Sequence, residues 1–400
     1  MADVGVISWK RTLYIIFFAQ VVTSIGFSCF FPFLPLYVAE LGAKSRLSVE
    51  FLSGLTFSAQ AFTMMIASPI WGNIADRFGR KLMVQRAMFG GAVVICLMGF
   101  ARSAEELVLL RALQGMITGV IGAHNALVAS VVPRERMGYA MGFLQVGLGV
   151  GVALGPVIGG VLADLLGYRA SFYVTSLMLF ISGIVVFFGV QENFQPKETG
   201  QTKRRSLMVK WKAILAAPGV MITYGMRFIS QFGRMMVFPI LPLFIQTLLA
   251  DPSRLNTYTG AVTGTHSVST TLSALYLGRL GDRIGHRRIL ISCLIAAGIF
   301  YFPQSLVHRL WQLMVLQILA GAALGGIIPA IGALLARYTP PGDEGTVYGL
   351  DNSVHSGARA LAPMVGAGVA IGFGMRATFM VLGLIFLAGG VLCLWRLPKK

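Results

Sequence analysis

The ten residues Gly72-Asn73-Ile74-Ala75-Asp76-Arg77-Phe78-Gly79-Arg80-Lys81 return about 207 residues later as Gly278-Arg279-Leu280-Gly281-Asp282-Arg283-Ile284-Gly285-His286-Arg287. Each is a short basic island built on Asp-Arg-x-Gly and set between long apolar runs. Outward from this pair the same register holds. Pro32-Phe33-Leu34-Pro35-Leu36-Tyr37 is echoed by Pro239-Ile240-Leu241-Pro242-Leu243-Phe244. Gly142, Gly155-Pro156, Gly159, Gly167, Arg169 and Phe172 are echoed by Gly349, Ala362-Pro363, Gly366, Gly374, Arg376 and Phe379. Agreement kept over such distances marks a duplicated half rather than a shared turn.

The runs between the islands are long enough, at about 20 apolar residues, to cross a hydrocarbon core of about 30 Å as helices. They predict twelve spans, over 13–39, 50–71, 82–101, 105–131, 138–165, 170–190, 218–248, 257–279, 288–307, 310–336, 345–372 and 376–397. The fold class expected is therefore all-α and integral to a membrane. Six spans per half is an even number, so both halves begin and end on one side and form parallel repeats about an axis along the membrane normal. Residues 1–190 are expected to form one six-helix bundle and 218–400 the other. The long polar stretch 191–217 reads as a linker.

Composition agrees with this. Of 400 residues 56% are hydrophobic and 12% charged, against about 25% charged in an ordinary soluble domain. The net charge of +18 would in a soluble protein suggest nucleic acid. Here two thirds of the 33 Lys and Arg sit at the termini, in the even-numbered loops and in the linker. Such residues are retained on the cytoplasmic side, which predicts cytoplasmic termini in a multi-pass plasma (inner) membrane protein and removes the nucleic-acid reading. The first span reads as a signal anchor, too long for a cleaved signal core. Cys29, Cys96, Cys293 and Cys393 fall singly in apolar segments, so neither disulfide nor zinc is expected. His124, His266 and His355 lie on separate spans without H-E-x-x-H spacing, and no phosphate-cradling G-x-x-x-x-G-K-[ST] is present. An enzyme and an ATP-driven motor are both disfavoured, no cofactor or metal is expected, and a proton gradient is left as the driving force. The expected partners are the bilayer and a small-molecule substrate, with the chain acting as a monomer.

Three elements carry a family resemblance. Gly72 to Lys81 fits a G-x-x-x-D-R-x-G-R-K loop, Arg111-Ala112-Leu113-Gln114-Gly115 an R-x-x-Q-G element, and Gly151 to Gly160 a G-x-x-x-G-P-x-x-G-G pattern. With these the chain resembles the Major Facilitator Superfamily, and within it the twelve-helix drug:proton antiporter branch. Pro32 to Val38, Asn125 to Ala129 and Asn193 to Pro196 are similar to the MdtG-like multidrug efflux group. The resemblance implies two bundles that rock about a central site. It makes Asp76 and Arg80 gate residues, and the Gly155-Pro156 pattern a mark of antiport. A facilitator or importer of organic anions, sugars or lysolipids would share the fold.

The motifs also have a direct physical reading. Gly72 and Gly79 permit a tight turn among Asp76, Arg77, Arg80 and Lys81, mirrored by Asp282 and Arg283. This is either a gate or a topological signal. Gly151, Gly155 and Gly159 at i, i+4 spacing let a second helix approach closely, and Pro156 predicts a kink.

A charge within a span costs about 2.5–3.5 kcal/mol on insertion scales and faces a cavity or a partner. Arg111, beside Gln114, is read as a clamp on carbonyls or a proton-relay member. Arg234, Arg359 and His266 lie near mid-span and are the main candidates for the transport pathway, with Phe27, Phe30, Phe238 and Met236 as apolar lining or ordinary packing. Arg227 and Asp351 lie at matching depths on spans that neighbour each other in the resembled fold, and are expected to pair. Asp351 is the acid well inside a span, so coupling falls to Asp351, His355, His266 or His124. The acid that many drug antiporters carry deep in the first span is absent here, where Gln20 and Phe27 stand instead. Excess buried arginine predicts an amphipathic substrate with an acidic or zwitterionic group.

Overall fold

The computed structural model describes residues 9–133, 136–192, 219–338 and 344–398, and these contain helices and no strand. In chain order they are α1 Trp9–Phe30, α2 Leu34–Leu41, α3 Val49–Phe78, α4 Arg80–Gly99, α5 Ala104–Ile117, α6 Val120–Val131, α7 Met137–Leu166 and α8 Tyr168–Gly189. The second series is α9 Val220–Val237, α10 Leu241–Leu248, α11 Leu255–Ile284, α12 His286–Tyr301, α13 Leu310–Gly325, α14 Ile327–Tyr338, α15 Glu344–Phe373 and α16 Met375–Arg396.

Ten helical stretches among the described residues are long and apolar enough to cross a membrane. An eleventh is α9 with α10, bent by 44° where Pro239 and Pro242 interrupt the backbone ladder. The predicted eighth span lies in α11, which has the length but not the apolarity. Its hydroxyls turn back on their own helix: Thr263, Ser267 and Thr271 each donate to the carbonyl four residues earlier, at 2.8, 2.9 and 2.9 Å. Self-bonding of this kind makes a Ser/Thr-rich helix tolerable in a medium without water.

The chain divides into two compact units, one holding the described residues of 1–44 and 59–199, the other those of 45–58 and 200–400. In the first, α1 packs on α7 and α8, and α4 on α8. The second repeats this, with α9 on α15 and α12 on α16, and adds α11 on α13. Glycine allows the closest of these approaches. A Cβ at Gly151, Gly155 or Gly159 of α7 would strike Ser24, Ser28 or the Cys29 carbonyl of α1, and one at Gly366 of α15 would strike the Met236 carbonyl of α9.

Helix α7 runs through Pro156 and α15 through Pro363 without interruption. The break in helical assignment that a proline can impose is not at Gly155-Pro156. It falls in the fourth span, where Gly119 takes φ 110° between α5 and α6, and in the tenth, at Gly326 between α13 and α14. Both island turns are closed by a glycine at φ 97°, Gly79 and Gly285.

Candidate functional site

The second unit carries a cationic interior. On α9, Arg227 and Arg234 are seven residues apart and share a face. On α15, Asp351, His355 and Arg359 follow at four-residue steps and share another. Because α9 packs on α15, these faces are brought together. Arg227 Nε lies 3.2 Å from Asp351 Oδ1, with the side chains 17% and 15% exposed. Arg234 donates to the Gln231 side-chain oxygen one turn back. Arg359 and His355 make no hydrogen bond or ion pair among the described residues. Arg227, Arg234 and Arg359 all lie within electrostatic reach of His355, and Arg234 within reach of His266. Of the three guanidinium groups, Arg227 is the one shown beside the Asp351 carboxylate.

His266, on α11, is tied down by its Nδ1–H, which donates to the Gln317 carbonyl of α13 at 3.0 Å. The same helix pair is stitched by Ser269 to the Ile318 carbonyl at 2.7 Å and Ser273 to the Ala322 carbonyl at 2.5 Å.

In the first unit Arg111 is 1% exposed, donates to the Gln114 side chain and lies 5.6 Å from the Phe31 ring centroid. His124 is fully buried, its Nδ1 2.5 Å from Gln20 Oε1. Gln20, which the sequence marks only as standing where an acid was sought, is therefore a histidine's partner. Two of the four apolar lining candidates are core residues. Phe30 is 1% exposed and packs on Phe172, ring centroids 5.0 Å apart, and Met236 is fully buried beneath Gly366. Phe27 and Phe238 are half-buried.

The first island turn is held by a residue that motif reading missed. Glu192 accepts from the Arg80 and Lys81 backbone amides at 2.9 and 2.7 Å, capping α4 where four amides lack helical partners. Arg80 Nη1 donates to the Ala126 carbonyl at 2.9 Å and Lys81 Nζ to the Phe187 carbonyl at 2.8 Å. The Asp76 side chain lies outside the described residues, Gly72 stands open and Arg77 is exposed. In the second island Asp282 pairs with His286 at 3.1 Å, Arg283 is exposed, and Arg287 donates to the Leu397 and Leu394 carbonyls at 3.0 and 2.9 Å. The signal that could have found Glu192 is an acid directly after the sixth span. Replacing it, Glu192→Ala, is expected to cost about 1 kcal/mol of stability, as loss of a helix cap does, and an unchanged thermal transition in detergent counts against the cap.

Arg86, which falls within the third predicted span, lies in α4.

The Major Facilitator Superfamily profile matches this chain twice, over residues 16–227 and 223–400. The multidrug resistance protein MdtG of Dickeya zeae (strain Ech586) is 39% identical over 383 residues, covering 95% of this chain and 93% of the relative. MdtG of Proteus mirabilis (strain HI4320) is 38% identical over 375 residues, covering 93% and 92%. Among solved structures, a bacterial homologue of the human lysosomal transporter Spinster, inward-facing and unoccupied, superposes with a TM-score of 0.78 at 13% identity, covering 97% of this chain and 96% of that one. The repeated profile match, the identity to full-length relatives and the membrane-length helices together place the chain: it belongs to the Major Facilitator Superfamily and is a multi-pass inner-membrane secondary transporter.

Proposed function

We propose that this transporter exports amphipathic small molecules bearing an acidic or zwitterionic group, in exchange for protons. The observation that carries the substrate class is the pair Arg234 and Arg359, neither of which meets a carboxylate within 4.0 Å among the described residues. Export is supported by the resemblance to relatives called multidrug resistance proteins. In this reading twelve spans cross the bilayer as bundles 1–190 and 218–400 joined by the linker 191–217, with both termini cytoplasmic, and a monomer alternates between inward and outward access.

Coupling is assigned to Asp351, with His355 one turn away. With Asp351 ionised and paired to Arg227, Arg234 and Arg359 hold the substrate anion on the outward step. Protonation of Asp351 from outside accompanies the substrate-free return, and the proton is released to the cytoplasm before the next substrate binds. Moving a monoanion out and a proton in are both downhill in an interior-negative potential, each by about 2.3 kcal/mol per 100 mV.

Flux into inside-out vesicles tests the assignment. Losing one arginine opposite a bound carboxylate is expected to cost about 2–3 kcal/mol, so Arg234→Ala and Arg359→Ala should each weaken uptake of an anionic amphiphile by about 30- to 150-fold. Wild-type vesicles that carry a lipophilic cation equally well refute the substrate class. Uptake indifferent to an imposed pH gradient refutes proton exchange.

A further inference from the structure

We propose that the break in the fourth span is a hinge of the first unit, and that Arg86, seated on Trp71 and bonded to the Thr118 carbonyl, is the latch that holds it. This goes beyond the transport reading, which uses neither residue.

The break is abrupt. Thr118 ends α5 at ψ −149° and Gly119 opens α6 in the left-handed region, at φ 110°. A break in mid-span releases the last carbonyls of one helix and the first amides of the next, and in a dry surrounding the freed groups need partners. The final turn of α5 finds them on two other helices. Trp71 of α3 donates its indole N–H to the Met116 carbonyl at 2.6 Å. One turn earlier, Thr63 of α3 adds a bond to the Ala112 carbonyl at 2.7 Å. Arg86 of α4 donates from Nη2 to the Thr118 carbonyl at 3.2 Å.

Arg86 is the unusual member of this set. Its guanidinium carbon lies 3.7 Å from the Trp71 ring centroid, a close cation–π contact. It sits at the C-terminal end of α5, where the helix dipole is negative. No carboxylate lies within 4.0 Å of it among the described residues. Two of its nitrogens, Nε and Nη1, are shut away from solvent without an acceptor among the described residues. The seated cation is thus held by a ring face, one carbonyl and a helix end, while it forgoes two hydrogen bonds that water would supply. Opposed terms of this size make a bistable element: seated, it fixes α5 against α3 and α4; released, it hydrates and lets α5 and α6 swing about Gly119. The swing moves α6, and with it His124, whose hydrogen bond reaches Gln20 of α1.

The second unit provides the contrast. Its tenth span breaks at the corresponding place, Gly326. In register with the Gly72 and Gly278 turns, Leu277 stands for Trp71 and Ser292 for Arg86. The atoms nearest a Cβ at Gly326 belong to Leu277, Ile289 and the Cys293 thiol, and the position matching Arg86 carries an uncharged serine. The charged latch belongs to one repeat alone.

Hydrogen–deuterium exchange on the full chain in lipid nanodiscs tests this. Peptides covering 112–124 report the latched break, and peptides covering 318–331 report the unlatched one. Arg86→Gln should speed exchange in the first peptide at least about tenfold and leave the second unchanged, while Arg86→Lys should recover part of the protection. Trp71→Phe, which keeps the ring and removes the donor, should give a smaller rise confined to the same peptide. Unchanged exchange in Arg86→Gln overturns the proposal, as does a rise of equal size in both peptides. If Arg86→Gln yields no folded protein, Trp71→Phe decides by the same two readings.

Discussion

Asp351→Asn is expected to destabilise the transporter by about 3 kcal/mol or more, because it leaves Arg227 inside the membrane without its carboxylate. The carboxylate sits 3.2 Å from Arg227 Nε with both side chains mostly covered, so water can replace little of what is lost. The asymmetry of buried pairs sharpens the test. Removing both charges together, as Arg227→Met with Asp351→Leu, should recover most of the stability that either single change loses. Thermal unfolding in detergent of the two single variants and the double variant completes the cycle. Additive losses across the cycle contradict a direct pair. The double variant should also fold yet fail to respond to a pH gradient, which separates the structural use of the pair from its use in coupling.

Gly159→Leu is expected to abolish folding of the first unit, and with it all transport. A side chain at Gly159 meets the Cys29 carbonyl and backbone of α1, and those at Gly151 and Gly155 meet Ser24, Ser28 and the Ile25 backbone. Backbone cannot rotate aside, so α1 and α7 must part along their length. Even the single methyl of Gly159→Ala is expected to reach the upper part of the 1–3 kcal/mol range of overpacking, about 3 kcal/mol. Gly142 lies on the same helix with nothing within 4 Å of where its Cβ would stand. Gly142→Ala should therefore be harmless, or stabilise by up to about 1 kcal/mol through helix propensity. Expression and thermal transition of the pair check this, and a Gly142→Ala variant as damaged as Gly159→Ala would show that the helix, not the contact, is sensitive.

Periodicity alone revealed a good part of this. The i, i+4 glycines announced a close helix approach on one face of α7, because spacing along a helix converts directly into one face, but not that the partner is α1. Arg227 and Asp351 were brought together by matching depth on spans that neighbour each other in the resembled fold. What escaped was set by rotation about helix axes, which linear counting does not supply. Phe30 and Met236 lie at pathway depth but turn inward to the core. Glu192 was passed over because a cap depends on where the chain returns after five intervening helices. The chain stays helical through Pro156 because a proline interior to a helix does not by itself end it.

The hydroxyl-rich α11 bears on how the polypeptide is made. A segment this polar gains little by leaving the translocon for lipid on its own. Its histidine and two of its serines find acceptors on residues 317, 318 and 322, about 50 residues further along the nascent chain, which at 5–20 residues per second is a delay of several seconds. Membrane insertion of α11 is thereby tied to the synthesis of α13, and a ribosome stalled between the two would strand a helix that the bilayer does not readily accept.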